Sequence, residues 1–125
     1  MSDTNIACNY VVWCDIPVED LKRACTFYQN VLAVDIEIMS FEGNDLAVFY
    51  HDKGNGACLM PQKEAVSAEQ GVLIYLNVNG RIEDALDQVE EYGGTVIEEV
   101  QALGEYGYRA VILDSEGNKM ALHSE

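Results

Sequence analysis

The order of the predicted elements constrains this chain most, because the same order occurs twice. Residues 10–18 (YVVWCDIPV) predict a strand, a helical apolar stripe near 19–32 follows, and three more strand segments come after it. The second half repeats this order, with a helix near 81–92 that stops at GG. We therefore predict one domain over residues 1–125, built from two β-α-β-β-β repeats at about 8–61 and 71–124.

The net charge of the chain limits the kinds of molecule that it is expected to bind. The chain carries 22 acidic against 7 basic residues, a net charge of -15. Such a field repels phosphate backbones and anionic lipid, so we expect no nucleic-acid or membrane partner. The beginning of the chain lacks a signal-peptide pattern and no stretch is apolar enough to span a bilayer, which favours a cytoplasmic location.

The four cysteines predict no disulfide framework and no zinc site. They are Cys8, Cys14, Cys25 and Cys58, and their spacing contains no C-x-x-C pair. Reduced thiols are the expectation. Strand alternation points Cys14 and Cys58 toward the helix layer, and Cys25 lies on the buried helix stripe. Cys8 is the one expected to be accessible.

Three stretches in order carry a resemblance to a known family. They are IPVEDLKRACTFYQNVL, YLNVNGRIEDALDQVEEYGGTVI and GYRAVILDSEGNKMALHS, which together cover nearly the whole chain. In this order and spacing they resemble the vicinal oxygen chelate superfamily, which includes glyoxalase I, bleomycin-resistance proteins and extradiol dioxygenases. The resemblance implies an α+β fold of two βαβββ modules, with curled mixed sheets around a cavity and the helices outside.

The resemblance also implies where a metal would be held. Metal-dependent members place His, Gln or Glu on the cavity faces of the first and last strands of each module. Those positions fall on Trp13, Leu59 (give or take one residue), Leu73 and Ala121. None of these side chains is a donor for a divalent cation, and the neighbours Cys58 or Met60 would add only one. We therefore expect no metal and no other cofactor.

The last strand shows which faces remain for a ligand. Lys119, Ala121 and His123 alternate with apolar Met120 and Leu122, so the first set looks toward the cavity. The same parity selects further cavity-facing residues on the first strand of each repeat. The resulting ligand-binding candidates are Trp13, Asp15, Leu73, Tyr75, Asn77, Lys119, Ala121 and His123.

Three functions remain open from the sequence. The first is a metal-free binding protein for a small, partly apolar or aromatic molecule. The second is an enzyme of the same superfamily, either lyase/isomerase or dioxygenase-like, or a metal-free acid–base catalyst that uses Asp15, Tyr75 or His123. The third is a structural or partner-binding role with a filled pocket. We expect a homodimer, because exposed sheet edges favour pairing. The ligand, and whether the modules pair within one chain or across the dimer, stay open.

Overall fold

A computed structural model describes residues 13–52 and 54–125, and within them the predicted order of elements is confirmed. The first module contains β1 (Trp13–Val18), α1 (Leu21–Leu32), β2 (Ile36–Phe41), β3 (Asn44–Phe49) and β4 (Gly56–Pro61). The second contains β5 (Ile74–Asn77), α2 (Ile82–Glu91), β6 (Thr95–Ala102), β7 (Tyr108–Leu113) and β8 (Lys119–Ser124). Short 3₁₀ helices span Lys63–Ala65 and Gly104–Tyr106. Cys8 and the predicted strand residues 10–12 lie outside the described residues.

Each module contributes one four-stranded mixed sheet. Sheet one has the order β1-β4-β3-β2 and sheet two the order β5-β8-β7-β6. In both, the first pair is parallel and the remaining pairs are antiparallel. The predicted α+β class is therefore confirmed, and over the described residues the two sheets do not close into a barrel.

Local sequence signals account for the helix ends. The Asp20 carboxylate caps α1 by accepting a hydrogen bond from the Arg23 backbone amide at 3.1 Å. Helix α2 ends ahead of Gly93, whose φ of 97° is a left-handed conformation that suits glycine. Neither helix, nor any other in 13–52 and 54–125, has the length and apolar character needed to cross a bilayer.

A two-residue turn joins β2 to β3. Glu42 and Gly43 both have positive φ, 52° and 82°, as hairpin turns of the primed type require. Strand β2 continues to Phe41 and β3 begins at Asn44, so only Glu42 and Gly43 lie between the strands.

One hydrophobic core lies between the helices and one face of each sheet. Both helices and the inward-facing strand residues of both modules form it. Its members include Phe27 and Tyr28 from α1 and the strand residues Ile16, Val18, Leu59, Ile112 and Leu122. We call the other side of each sheet its open face. Trp13 on the open face of sheet one and Tyr75 on that of sheet two keep 41% and 48% of their surface exposed. Candidate ligand contacts therefore belong to the open faces.

Candidate functional site

Three side chains meet on the open face of sheet one. The indole N–H of Trp13 donates to Asp15 Oδ1 at 3.1 Å, and the Cys58 thiol donates to the same oxygen at 3.1 Å. Asp15 and Cys58 are direct partners in the β1–β4 register, so they share a face. The prediction that Cys58 points to the helix layer is therefore wrong. A strand alternates with period two, so a one-residue error moves a side chain to the other face.

The other described cysteines lie where the sequence placed them. Cys14 packs against the core from β1, and Cys25 is buried in it on α1. Burial raises the pKa of both thiols, with the Asp15 charge adding to the effect at Cys14. Both are therefore protonated core residues at neutral pH.

The same register corrects one carried-over metal position. Leu59 is fully buried in the core, as Leu122 is on the equivalent strand β8. The open-face position is Cys58, so the family set becomes Trp13, Cys58, Leu73 and Ala121. Burial and the hydrogen bond to Asp15 raise the pKa of Cys58 to about 11, so at neutral pH the thiol is protonated and donates to the carboxylate.

The residues do not fit the metal that the family implies. Trp13, Leu73 and Ala121 supply no donor atom. Across the described ranges, no three His, Cys, Asp or Glu side chains come together in a way that could hold an ion. We accordingly derive no chemistry through a metal.

The open face of sheet two carries a polar cluster. Arg109 on β7 donates from Nη1 to the Tyr75 hydroxyl, and its guanidinium carbon lies 5.8 Å from the centre of that ring. Its Nη2 lies 3.6 Å from a Glu98 carboxylate oxygen. The rings of Tyr75 and His123 are 6.4 Å apart, and His123 Nε2 is 2.7 Å from the Tyr106 carbonyl oxygen. Two predicted candidates, Tyr75 and His123, are thus brought together around an arginine.

Arg109 was missed by the sequence reasoning. Its signal is alternation on YRAVIL, where Ala110 and Ile112 enter the core, so Arg109, one residue before Ala110, faces the other way. The Arg109 Nε is buried and has no hydrogen-bond partner among the described residues. A buried donor left unpaired costs about 1–3 kcal/mol, so this atom calls for an explanation.

A cleft of about 830 Å³ lies between the edges of the two sheets. Four predicted site residues line it: Trp13, Leu73, Tyr75 and Asn77. The His51 ring meets Trp13 edge-on at 5.7 Å. A Cβ at Gly56 would lie 2.6 Å from Trp13 and 2.7 Å from His51, so the glycine is what lets both rings pack there. His51 is not among the site residues that the sequence predicted.

The other candidates lie outside the cleft lining. Asp15, Lys119, Ala121 and His123 occupy the open faces, as their parity predicted. Ala121 is 0% exposed, in register between Tyr75 and Val111. The structure therefore gives Ala121 no free space in front of its methyl group, and it is not the floor of an open pocket.

Comparison with known proteins settles the family. The sequence model of the glyoxalase/bleomycin resistance protein/dioxygenase superfamily matches residues 10–122. The chain belongs to this superfamily. The resemblance drawn from its three motifs is therefore confirmed. No protein among the curated sequences matches the chain.

Solved structures of low identity share the superfamily fold. A glyoxalase/bleomycin resistance protein from Albidiferax ferrireducens T118 is 15% identical, with a TM-score of 0.74 over 94% of this chain and 99% of that one. A hypothetical protein from S. aureus is 20% identical, with a TM-score of 0.72 over 95% and 96%. A mutant of the fosfomycin resistance protein FosX from Listeria monocytogenes, complexed with Mn(II) and 1S,2S-dihydroxypropylphosphonic acid, is 15% identical, with a TM-score of 0.71 over 94% and 93%. At these identities the likeness establishes the fold alone.

Proposed function

We propose that this glyoxalase-superfamily chain binds a small, partly apolar or aromatic molecule in its inter-module cleft, without the family metal. The cleft itself carries the proposal. Its volume of about 830 Å³ suits a small ligand, and Trp13, Leu73 and Tyr75 give it aromatic and aliphatic walls. Asn77 supplies a polar group. The FosX complex is an example of a superfamily member that holds a small molecule.

The second part of the proposal is a homodimer. Met39 and Phe41 on the open face of sheet one keep 41% and 62% of their surface exposed, in addition to Trp13. Apolar surface of this kind favours a partner. The open face of sheet one carries the acid Glu37 and that of sheet two the base Arg109, so module one of one copy is electrostatically suited to module two of another.

One observation favours an enzyme as the second candidate. Tyr75, which lines the cleft, lies beside the titratable imidazole of His123 at 6.4 Å between ring centres. A phenol and an imidazole so placed are suited to acid–base chemistry on a ligand in the cleft. Asp15 contributes less, because its carboxylate is engaged by Trp13 and Cys58. Binding remains the better-supported function.

Neutral aromatic fragments test the binding proposal. Trp13 is the sole tryptophan of the sequence, so a change in its fluorescence emission reports ligand binding in the cleft. Benzamides are suitable ligands because they contain no indole ring that would fluoresce itself. Leu73→Lys places a charge on the apolar wall and should weaken binding about tenfold, whereas Ile97→Lys, at an exposed residue that does not line the cleft, should change it less than twofold. Unchanged Trp13 emission with every fragment, or equal affinity in both variants, would contradict the proposal.

Subunit number tests the dimer separately. Native mass spectrometry and sedimentation equilibrium should give twice the chain mass of 13.9 kDa at micromolar concentration. Phe41→Glu should shift the equilibrium toward monomer, because it removes an exposed apolar side chain and would bury a charge in the apolar part of the interface. A 13.9 kDa species throughout the micromolar range would rule this part out.

A further inference from the structure

We infer that Gly56 is a positioning residue that holds the rings of Trp13 and His51 as one wall of the cleft, and that the ligand presents a flat aromatic ring to this wall. The inference rests on the proposed binding function and narrows it from apolar or aromatic molecules to aromatic ones. It starts from a position on the cleft lining that has no room for even a methyl group.

Gly56 is kept free of a side chain by the two rings. It lies opposite Trp13 in the β1–β4 register and lines the cleft. A Cβ here would come within 2.6 Å of Trp13 Cζ3 and within 2.7 and 2.8 Å of His51 Cδ2 and Nε2. Carbon atoms pack best about 3.5–4.0 Å apart, so the rings would have to move. Gly56 has no positive φ, so its backbone conformation by itself would accept alanine.

The Trp13 ring is held at both of its ends. Its Nε1 donates to Asp15 Oδ1 at 3.1 Å, and its Cζ3, at the far end of the indole, lies over Gly56. The His51 ring meets it at an interplanar angle of 73°. Trp13 nevertheless keeps 41% of its surface exposed. A ring that is already fixed and still accessible is preorganised, so a ligand that contacts it loses little free energy in ordering it.

An aromatic wall of this kind favours an aromatic ligand. Aromatic rings pack offset or edge-to-face, and such pairs contribute more than the area that they bury. A saturated ring of similar size buries similar area without that contribution. Tyr75, with 48% of its surface exposed, lines the same cleft and adds a second aromatic side chain. We therefore expect the cleft to select flat rings over puckered ones.

The selectivity distinguishes a ligand wall from a structural contact. If Trp13 served only to cover the bare backbone of Gly56, the contact would stabilise the sheet and select no ligand. Its loss would then change the affinities for aromatic and saturated ligands alike. The ratio of the two affinities is therefore the property to measure.

Benzamide and cyclohexanecarboxamide are matched probes, since they share the amide and differ in whether the ring is flat. We expect the full chain to bind benzamide about fivefold more tightly, measured by Trp13 emission and by the shift of the Trp13 indole N–H resonance. Gly56→Ala should reduce the preference to less than about twofold, because its methyl group displaces both rings. Gly54→Ala adds the same methyl group in the same loop, where nothing lies within 4 Å, and should leave the preference unchanged.

A double-mutant cycle tests how Gly56 acts. His51→Ala removes one of the two rings that the new methyl group would meet. Gly56→Ala should therefore weaken benzamide binding less in the His51→Ala background than in the original chain, by at least about twofold. Additive effects would show that Gly56 does not act through the rings, and would overturn its positioning role.

The outcomes separate this inference from the proposed function. Equal affinity of the full chain for the two probes, or a preference that survives Gly56→Ala, overturns the aromatic wall and leaves a binding cleft in place. Trp13→Leu, followed by calorimetry, tests the wall even if Gly56→Ala fails to fold, and a preference that persists in it is equally contrary. If neither probe binds the full chain by emission or by calorimetry, the proposed function fails and the aromatic wall fails with it.

Discussion

Two loops occupy equivalent positions in the two modules and have different roles. We call the segment between β3 and β4 loop one, and that between β7 and β8 loop two. When β4 is laid over β8 so that the core residues Leu59 and Leu122 coincide, His51 falls on Asp114 and Asn55 on Asn118. Loop two is buried at these positions, whereas loop one is exposed there and borders the cleft.

Loop two holds the two modules together through hydrogen bonds. The Asp114 carboxylate accepts hydrogen bonds from the Tyr28 hydroxyl of α1 and from the backbone amides of Glu116 and Asn118. The Asn118 amide group donates to the Pro17 carbonyl at the end of β1, at 2.7 Å. Each buried polar group thus has a partner in the other module or within the loop.

Glu116 of loop two binds the start of α1 in the first module. Its carboxylate accepts the backbone amides of Glu19 and Asp20, at 2.9 and 2.7 Å, and the guanidinium of Arg23. Among the described residues, the N-terminus of helix α2 has no side-chain cap of this kind. One topology therefore supports two arrangements: loop two holds the modules together, and loop one borders the cleft.

Asp114→Ala should have the largest effect. It leaves the buried Tyr28 hydroxyl and two amides without their acceptor, so we expect a loss of about 3 kcal/mol in the free energy of unfolding. His51→Ala, the equivalent change in loop one, should cost under about 0.5 kcal/mol because it is exposed. Urea denaturation measures both. Similar losses in the two variants would mean that the loops do not differ as described.

Ala121→Phe should be next in size. The methyl group is fully buried on the open face of sheet two, so a ring there should strain the sheet by about 2 kcal/mol. Ile97→Phe, at a 45% exposed residue, is the matched control and should be nearly neutral. Thermal unfolding distinguishes them. A stable Ala121→Phe variant would show that there is space on this wall after all.

Glu116→Gln tests whether the charge of Glu116 stabilises the contact between loop two and α1, through the pH dependence of the free energy of unfolding. Burial would raise the pKa of Glu116, but hydrogen bonds from Arg23, Ser115 and two amides outweigh burial and hold the pKa below its usual 4.5. A lowered folded-state pKa means that the stabilisation is complete above about pH 4.5 and declines as pH falls through the folded value. The variant should lose about 1.5 kcal/mol at pH 7 and much less at pH 3. A pH-independent loss would exclude a role for the charge.

Cys58 should show the smallest effect on stability and a clear one on reactivity. With a pKa of about 11, its thiol is almost entirely protonated at pH 8. Alkylation by iodoacetamide should be roughly 100-fold slower than in the urea-unfolded chain, measured by peptide mass spectrometry. Because the folded pKa is raised above the unfolded value of 9.0, the associated stabilisation is complete below about pH 9 and is lost as pH rises through about 11. Rapid alkylation would show that the contact with Asp15 does not form.

The sequence by itself determined the order of elements, the helix ends and the face of most strand residues. Asp20 begins α1 and Gly93 ends α2 through contacts and backbone geometry within a few residues of each. Alternation placed Trp13 and Tyr75 correctly on the open faces. These properties depend on local backbone geometry and on period-two exposure, which a single segment carries in full. The family followed from the order of three such segments.

Only the tertiary structure decided the rest, because the deciding contacts join distant parts of the chain. The face of Cys58 depends on its register with Asp15, 43 residues away. Burial of Glu116 depends on Arg23, 93 residues away, so DSEGN reads as an ordinary turn until its partner is known. The contacts of Arg109 with Tyr75 and Glu98 likewise show only once the strands that carry them are placed side by side. Desolvated charges are stable only beside their partners, and a linear pattern does not specify which partner comes close.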